Sequence, residues 1–487
     1  MSTPAIAPDP RRWWALALLC GAFFMVILDA AIVVVALPSI ETDLGFSAQG
    51  LQWVLSAYAL TFAGLLLLGG RAADLLGRRR LFMTGLAFFT VASLLCGLAW
   101  SPEALIGARA FQGVGAAIMT PTALSIIATT FVEGAERNKA FGIWGALGGI
   151  GGTTAWLIGG PLVDGLGWEW IFFINVPVGL VALALSPVLL RESRAATTKR
   201  SYDPAGALTI TGALVLLVYA VVEAPNAGWG SARTIGLLAG SAALLAAFAL
   251  MESRHPAPLV PLRIFRSRTL VGANAVMLVF STAAFGVPFI LTLYAQQVLG
   301  YSAVEFGLSS LPLPLGAVVG SLVGQAIVLR VGFRPVATVG MALIAASSLL
   351  LTQVSVDGTY FRDIFFGLLL IGPGIGLAFV TSSIAALAGV AEHEAGLASG
   401  LSNTAFQIGA ALGVAIVSTV AVTRTDDFIA ENGTGDGALA LTEGFQAAFL
   451  ACAVLAGIGA ALALLLLGRP RGATQEQLEP VPASSGD

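Results

Sequence analysis

The first long apolar stretch of the chain reads WWALALLCGAFFMVILDAAIVVVAL (13–37), and Asp29 is its one charged residue. A membrane-spanning helix needs about 20 mostly apolar residues, so this stretch is long enough to cross a bilayer. It follows Arg11 and Arg12 and is too long for a signal-peptide core, so we interpret it as a retained helix. An acid held in hydrocarbon is costly and is typical of an ion or substrate pathway.

The whole chain shares this apolar character. Its 487 residues are 57% hydrophobic and 10% charged, with a mean hydropathy of +0.90. Soluble domains carry about 25% charged residues, so the composition indicates an integral membrane protein. Cys20, Cys96 and Cys452 lie in three separate apolar stretches, which favours small core residues over disulfides or a metal site.

Fourteen apolar stretches predict fourteen transmembrane helices and an all-α fold. The predicted spans are 13–37, 51–70, 81–99, 104–127, 141–163, 170–190, 205–223, 233–251, 270–293, 305–329, 335–353, 362–386, 396–420 and 444–467. With the N-terminus in the cytoplasm, twenty of the 24 lysines and arginines fall in cytoplasmic segments and three in outer segments; Arg109 is the remaining one. The positive-inside rule therefore predicts that both termini are cytoplasmic.

The spans are arranged as six, two and six. We predict a six-helix bundle over 1–190, cytoplasmic links with an inserted transmembrane hairpin over 191–269, a second six-helix bundle over 270–468, and a cytoplasmic tail over 469–487. A weak repeat supports this plan, because GGRAADLLGRRR after the second span has a faded counterpart, GQAIVLRVGFR, after the tenth. Paired halves with a site between them are typical of secondary transporters.

Asp29 and Arg109 lie at matching depths in the membrane. Asp29 is about 24 Å along helix 1, and Arg109 is about 8 Å below the outer face on helix 4, at 1.5 Å per residue. In a hydrocarbon core about 30 Å thick these depths agree, so the two side chains can pair. An aspartate that gains and loses a proton beside an arginine can act as a proton carrier. The alternative is a static ion pair that holds two helices together.

Five motifs in order resemble those of the major facilitator superfamily, and with fourteen spans the chain resembles its fourteen-helix drug:proton antiporters. The motifs are ILDAAIVVVALP (27–38), GGRAADLLGRRRLF (69–82), LIGARAFQGVGAA (105–117), WGALGGIGGTTAWLIGG (144–160) and WEWIFFINVPVG (168–179). The resemblance implies two bundles of the major facilitator fold, with proton coupling by Asp29 and Arg109. The implied inner-gate motif comprises Gly70, Asp74, Gly77, Arg78 and Arg79, and the implied antiporter motif comprises Gly145, Gly149, Gly151, Gly159 and Gly160.

Each motif also has a simpler interpretation. The arginines after helix 2 could be a solvated topology signal rather than a gate. The glycines of helix 5 could serve only close packing, against helix 2 or against the counterpart of helix 8 in the second half. Two residues depart from the family pattern of helix 5, where Ala155 and Trp156 replace Gly-Pro, and we expect the tryptophan to narrow the cavity.

Neutral polar and aromatic residues are the candidates for a substrate cavity. They are Trp53, Tyr58, Gln112, Asn274, Tyr294, Gln296, Asn403 and Gln407. Asn403 and Gln407 are four residues apart and share one helix face. The alternatives are hydrogen bonding between helices and, for Trp53 and Tyr58, an aromatic belt at the membrane surface.

These features predict a plasma (inner) membrane exporter of lipophilic drugs or antibiotics that works by drug:proton antiport. A narrow-specificity exporter or importer of one metabolite is the alternative, and a receptor or scaffold that transports nothing is a third. No GxxxxGK[ST] sequence occurs, so the proton gradient is the expected energy source and no cofactor is expected. We predict no enzyme activity, no metal and no nucleic-acid partner; protons, lipid and a small lipophilic substrate are the expected partners of a functional monomer.

Overall fold

The computed structural model describes residues 10–131, 135–193, 204–254, 262–388, 390, 395–432 and 437–467. The first seven α-helices are α1 Arg12–Leu44, α2 Ala48–Leu76, α3 Arg78–Gly97, α4 Pro102–Thr130, α5 Ala135–Leu166, α6 Trp170–Phe173 and α7 Asn175–Leu189. The others are α8 Pro204–Ala227, α9 Ala232–Arg254, α10 Arg268–Leu293, α11 Ala303–Ser309, α12 Pro312–Val331, α13 Phe333–Leu351, α14 Phe365–Leu387, α15 Ala395–Asn432 and α16 Gly437–Leu466. Short π-helices at Tyr294–Val298 and Tyr360–Ile364 extend α10 and precede α14.

Eleven helical segments in the described part of the chain are long and apolar enough to cross a membrane. The helices α2 and α8 contain shorter apolar segments, Gly50–Leu66 and Leu208–Val221, and α5 lies where the fifth span was predicted. The prediction of an all-helical membrane protein is confirmed. The count of fourteen spans and the orientation of the termini stay predictions.

Several helices differ from the predicted spans at their ends. The helix α15 continues to Asn432, well beyond the apolar stretch, and an ion pair of 3.3 Å between Arg424 and Glu443 joins this polar end to α16. The predicted tenth span is divided into α11 and α12 just before Pro312, whose nitrogen cannot donate a helical hydrogen bond. Apolar length alone therefore misses polar helix extensions and breaks at proline.

The helix packing repeats along the chain. In the first half α4 packs on α2 and α3, and α1 packs on α5 and α7. In the second half α14 packs on α12 and α13 in the same way, and α10 packs on α15 and α16. The faded sequence repeat has a matching backbone feature, because Gly77 (φ 111°) joins α2 directly to α3 and Gly332 (φ 93°) joins α12 directly to α13. These φ values favour glycine, which has no Cβ to clash.

The hairpin of α8 and α9 packs over the line where the two halves meet. There α8 contacts both α2 of the first half and α15 of the second. The hydroxyl of Thr211 on α8 donates a hydrogen bond of 2.8 Å to the carbonyl of Gly64 on α2. The contact with α15 includes the apolar side chains of Ile408, Ala411 and Ala415. The hairpin is therefore hydrogen-bonded to the first half and packs through apolar side chains on the second.

Candidate functional site

Asp29 and Arg109 form an ion pair inside the first half. The Nη1 atom of Arg109 on α4 lies 2.6 Å from Oδ2 of Asp29 on α1. Both residues have no exposed surface. The sequence-based prediction that the two side chains can meet is correct in its geometry, whereas their role in proton coupling stays a prediction.

The guanidinium of Arg109 is held on several sides. Its Nε donates to the backbone carbonyl of Val54 at 2.9 Å, and its Nη1 also donates to Oε1 of Gln112 at 2.6 Å. The guanidinium carbon lies 4.4 Å from the centre of the Tyr58 ring and 5.7 Å from that of Phe172, distances typical of cation–π contacts. Arg109 is therefore fixed by α1, α2 and its own helix, and Tyr58 contributes its ring face.

The carboxylate of Asp29 accepts hydrogen bonds from three side chains. Besides Arg109, the Nε2 atom of Gln112 donates to Oδ1 at 2.8 Å, and Nδ2 of Asn175 donates to the same oxygen at 2.9 Å. Ser93 on α3 accepts from Gln112 at 2.8 Å and donates to the carbonyl of Phe89 at 2.8 Å. This set of bonds fits an ionised carboxylate, which can only accept.

All these residues belong to the first half of the chain. The partners of Asp29 lie on α4 and α7, and Val54 and Ser93, which bond to Arg109 and Gln112, lie on α2 and α3. The paired halves predicted from the sequence imply a transport site between them. The hydrogen-bonded partners of the buried acid instead lie within one half, because α1 directs Asp29 toward α4 and α7.

Asn175 and Ser93 were missed as members of this site. Asn175 lies in the motif 168–179, and it is the only carboxamide in the predicted span 170–190. A polar side chain at that depth is a signal for a partner in the membrane. Ser93 offers a weaker signal, because serine hydroxyls often bond to their own helix, as this one also does.

The arginine-rich turn after α2 is tied to the end of α7. Glu192 accepts from the backbone amides of Arg79 at 3.2 Å and Arg80 at 3.3 Å, so an acid sits at the N-terminus of α3. That position favours negative charge because the helix amides point toward it. Arg78 also donates from its backbone amide to the carbonyl of Ser193.

Gly70, earlier in the same motif, lies next to α4. A Cβ added at Gly70 would lie 3.5 Å from the side chain of Pro121 on that helix.

Asp74 was predicted to act in this turn, but its side chain lies outside the described part of the chain. The acid that the structure does place beside these arginines, Glu192, was not among the predicted site residues. Its position 113 residues from Arg79 along the chain gave no local signal.

The glycines of α5 allow close contact with two helices. A Cβ at Gly151 would lie 2.8 Å from Ile27, and one at Gly159 would lie 3.0 Å from Ile32, both on α1. A Cβ at Gly160 would lie 2.5 Å from the Cα of Val304 on α11. The neighbour on the first-half side is thus helix 1, not helix 2 as expected, and the neighbour in the second half is α11. Gly145 and Gly149 also lie on α5, but their surroundings are outside the described part of the chain.

The two halves meet closely at the end of the molecule that holds the α1–α2 turn. Gln296 donates to the carbonyl of Val35 at 3.1 Å, and Gln297 donates to Glu41 at 2.7 Å. The carboxylate of Asp164, at the end of α5, accepts from the backbone amide of Val304 at 2.9 Å. Trp156 packs edge-on against Phe306, with ring centres 5.4 Å apart. Trp156 and Gln296 thus take part in this contact between halves.

The remaining candidates for the cavity are spread over the molecule. Trp53 packs against Tyr219 of the hairpin at 5.8 Å, and Tyr294 is buried and donates to the carbonyl of Ser355 at 2.8 Å. Asn274 donates to the carbonyl of Leu270 on its own helix. Gln407 is buried on α15 and Asn403 is half-buried on the same helix. Among the described residues no hydrogen bond or ring contact joins any of these five to another, and their role in substrate binding stays a prediction.

Comparison with known proteins places the chain in a family. A model described as Major Facilitator Superfamily matches residues 19–414. The chain is 42% identical to the puromycin resistance protein pur8 of Streptomyces alboniger, over 88% of this chain and 86% of that protein. It is 40% identical to the cephamycin export protein CmcT of Amycolatopsis lactamdurans, over 86% of each.

The fold agrees with this assignment. A crystal structure of a bacterial homolog of the human lysosomal transporter Spinster, inward-facing and unoccupied, superposes with a TM-score of 0.67. That similarity covers 94% of this chain and 98% of that one at 20% sequence identity, so it concerns the fold alone. The chain is therefore a multi-pass membrane protein that belongs to the major facilitator superfamily.

Proposed function

We propose that this membrane protein exports lipophilic drugs or antibiotics in exchange for protons. The observation that carries the proposal is the fully buried carboxylate of Asp29, hydrogen-bonded to Arg109, Gln112 and Asn175. A charged residue at this depth is expensive and is typical of transport pathways. The similarity to proteins named for puromycin resistance and cephamycin export supports an exporter and suggests the class of cargo.

The ion pair offers a simple coupling scheme. With Asp29 ionised, its charge compensates Arg109, whose guanidinium is buried beside it. A proton taken up by Asp29 removes that compensation and leaves the fixed charge of Arg109 uncompensated in a low-dielectric site, where such interactions are strong. The protein then favours an arrangement in which the charge is differently solvated. Proton uptake favours one of these two arrangements and cargo binding favours the other. The two events therefore compete, and this competition yields exchange.

The orientation follows from the positive-inside rule, with both termini in the cytoplasm and fourteen spans. The end closed by Glu41, Gln297 and Asp164 then faces outward, so the described arrangement is closed toward the outside. Such a state suits the loading of an exporter. Energy comes from the proton gradient without a bound cofactor, and the transporter acts as a monomer.

Transport in proteoliposomes tests the proposal. Under an imposed pH gradient, the Asp29→Asn variant should lose gradient-driven uptake of a lipophilic antibiotic such as puromycin, while it keeps counterflow of the same compound. Asp43→Asn is the matched control, because Asp43 is an exposed aspartate on the same helix that accepts a hydrogen bond from Trp168. Undiminished gradient-driven uptake in Asp29→Asn would refute the coupling role.

A second candidate is a narrow-specificity transporter of a single metabolite. The two relatives favour it, since each is named for one antibiotic. A panel of chemically unrelated antibiotics in the same vesicles separates the candidates. Uptake of many compounds supports the broad exporter, and uptake of one scaffold alone supports the narrow one.

A further inference from the structure

The carboxamide of Asn175 is only partly used in the buried network. Its Nδ2 atom lies 2.9 Å from Oδ1 of Asp29 and 3.5 Å from Oγ of Ser93. Its Oδ1 atom is buried and has no hydrogen-bond partner in the described part of the chain. Asn175 itself is 1% exposed. A buried acceptor without a partner normally costs free energy of folding. An unpaired acceptor beside an ionisable group therefore needs a physical explanation.

Protonation of Asp29 would create the missing partner. A protonated carboxyl has one O–H donor, and a buried donor needs an acceptor. The present orientation of Asn175 offers the carboxylate an N–H, which suits the ionised form only. Rotation of the carboxamide by half a turn would place its idle oxygen where its nitrogen now lies, within hydrogen-bonding distance of Asp29.

The other neighbours of Asp29 cannot accept this proton as readily. Oε1 of Gln112 already accepts from Arg109, so rotation of that amide would direct its NH2 group at the guanidinium. Oγ of Ser93 accepts from Gln112 and donates to the carbonyl of Phe89. Tyr58 presents its ring to Arg109, and no hydrogen bond joins its hydroxyl to Asp29. The Tyr58 hydroxyl also has no partner in the described part of the chain, but Asn175 is the neighbour that both bonds to Asp29 and has an idle acceptor.

Three ionisable groups among the described side chains surround the carboxyl. They are Arg109 on α4, Tyr58 on α2 and Cys96 on α3. Five other helices pack on α1. Of these, α6 and α7 have no charged residue. The charged residues of α5 lie near its two ends, and those of α10 and α11 lie near the starts of these helices. In the described part of the chain, no second acid therefore stands close enough to replace Asp29 as the group that exchanges the proton.

We propose that Asn175 is a positioning residue that stabilises both protonation states of Asp29, donating to the carboxylate and, after rotation of its amide, accepting from the carboxylic acid. This inference rests on the proposed role of Asp29 in proton coupling. The step forms one O–H bond on Asp29 with a proton from water on one side of the membrane. The same bond breaks when the proton leaves to water on the other side.

The first test is the pH profile of transport in Asn175→Leu, which keeps the number of side-chain heavy atoms and removes both polar atoms. Hydrogen bonds to charged groups are about twice as strong as neutral ones, so the ionised form of Asp29 loses more than the neutral form. The midpoint of the pH profile should then rise by about one unit. The control is Ser186→Ala, which removes a buried hydroxyl on the same helix whose one hydrogen bond among the described residues is to the carbonyl of Ala182.

A second, matched pair protects the test against a folding defect. Asn175→Thr and Asn175→Val have the same shape, but only the threonine hydroxyl can donate or accept. The threonine variant should have a midpoint about half a unit or more closer to that of the unmodified protein than the valine variant. A purely structural role would lower the transport rate of both equally and leave both midpoints in place.

Infrared difference spectra of the full chain in vesicles test the inference without transport. The carboxylic C=O band formed on acidification and absent in Asp29→Asn belongs to Asp29. The frequency of this band should shift in Asn175→Leu and should be unchanged in Ser186→Ala. An unchanged band, or an unchanged midpoint, in Asn175→Leu overturns the role of Asn175 even if Asp29→Asn is uncoupled. Normal coupling in Asp29→Asn would instead overturn the proposed function, whatever the band does.

Discussion

Gln297 donates a hydrogen bond of 2.7 Å to Glu41, and this bond joins the second half of the protein to the first. Both side chains border a small pocket at this end, of about 140 Å³, together with apolar residues of α10, α15 and α16. In a transporter that alternates between two states, bonds made in only one state determine how much of that state is populated. Glu41 and Gln297 should therefore favour the arrangement described here.

Loss of this bond should shift the protein toward opening at this end. Gln297→Leu removes the donor, and a net hydrogen bond of about 1 kcal/mol corresponds to a roughly fivefold change in the ratio of the two states. Spin labels at the exposed residues Thr42 and Leu308 would measure the distance between the halves. Gln353→Leu, an exposed glutamine within the second half, is the control. Equal distance distributions in Gln297→Leu and the control would contradict this prediction.

Gly160 should be the least replaceable described glycine of α5. In Gly160→Ala the new Cβ would lie 2.5 Å from the Cα of Val304, a backbone atom that cannot move aside like a side-chain end. The variant should increase the distance between the labels at Thr42 and Leu308, as Gln297→Leu does, or lower the melting temperature by about a few degrees. Gly152→Ala is a matched control on the same helix, because its Cβ would meet nothing within 4 Å. Equal behaviour of the two variants would show that the close contact with α11 is not limiting.

Substitutions of Arg109 and Asp29 should have strongly non-additive effects on the free energy of unfolding. Arg109→Gln leaves a buried carboxylate without its cation, and breaking a buried pair from one side costs about 3–5 kcal/mol. The double variant Asp29→Asn, Arg109→Gln should recover at least about 1 kcal/mol of that loss, because no buried charge then remains. Unfolding of the purified variants in denaturant would measure both values. Strictly additive losses would mean that the 2.6 Å contact contributes little.

Much of the fold could be predicted from the sequence because membrane helices are defined by apolar length. The depth of a residue follows from its distance along a helix, so Asp29 and Arg109 could be placed at one level before their contact was known. The turn of positive φ at Gly332 was anticipated only as part of a faded repeat of the motif that contains Gly77. The structure showed that both glycines join neighbouring helices directly.

The amino-acid sequence alone thus defined the helix lengths, the depths of their residues and the presence of a buried acid and base. Which neighbour each helix face meets became known only from the assembled helices: Asn175 meets Asp29, Trp53 meets the hairpin, and Gly160 meets α11. These helices are largely apolar on every face, so no amphipathic pattern marks the face that turns toward a given partner. Close packing of small residues and a few hydrogen bonds select that face, and they form only when the helices are assembled.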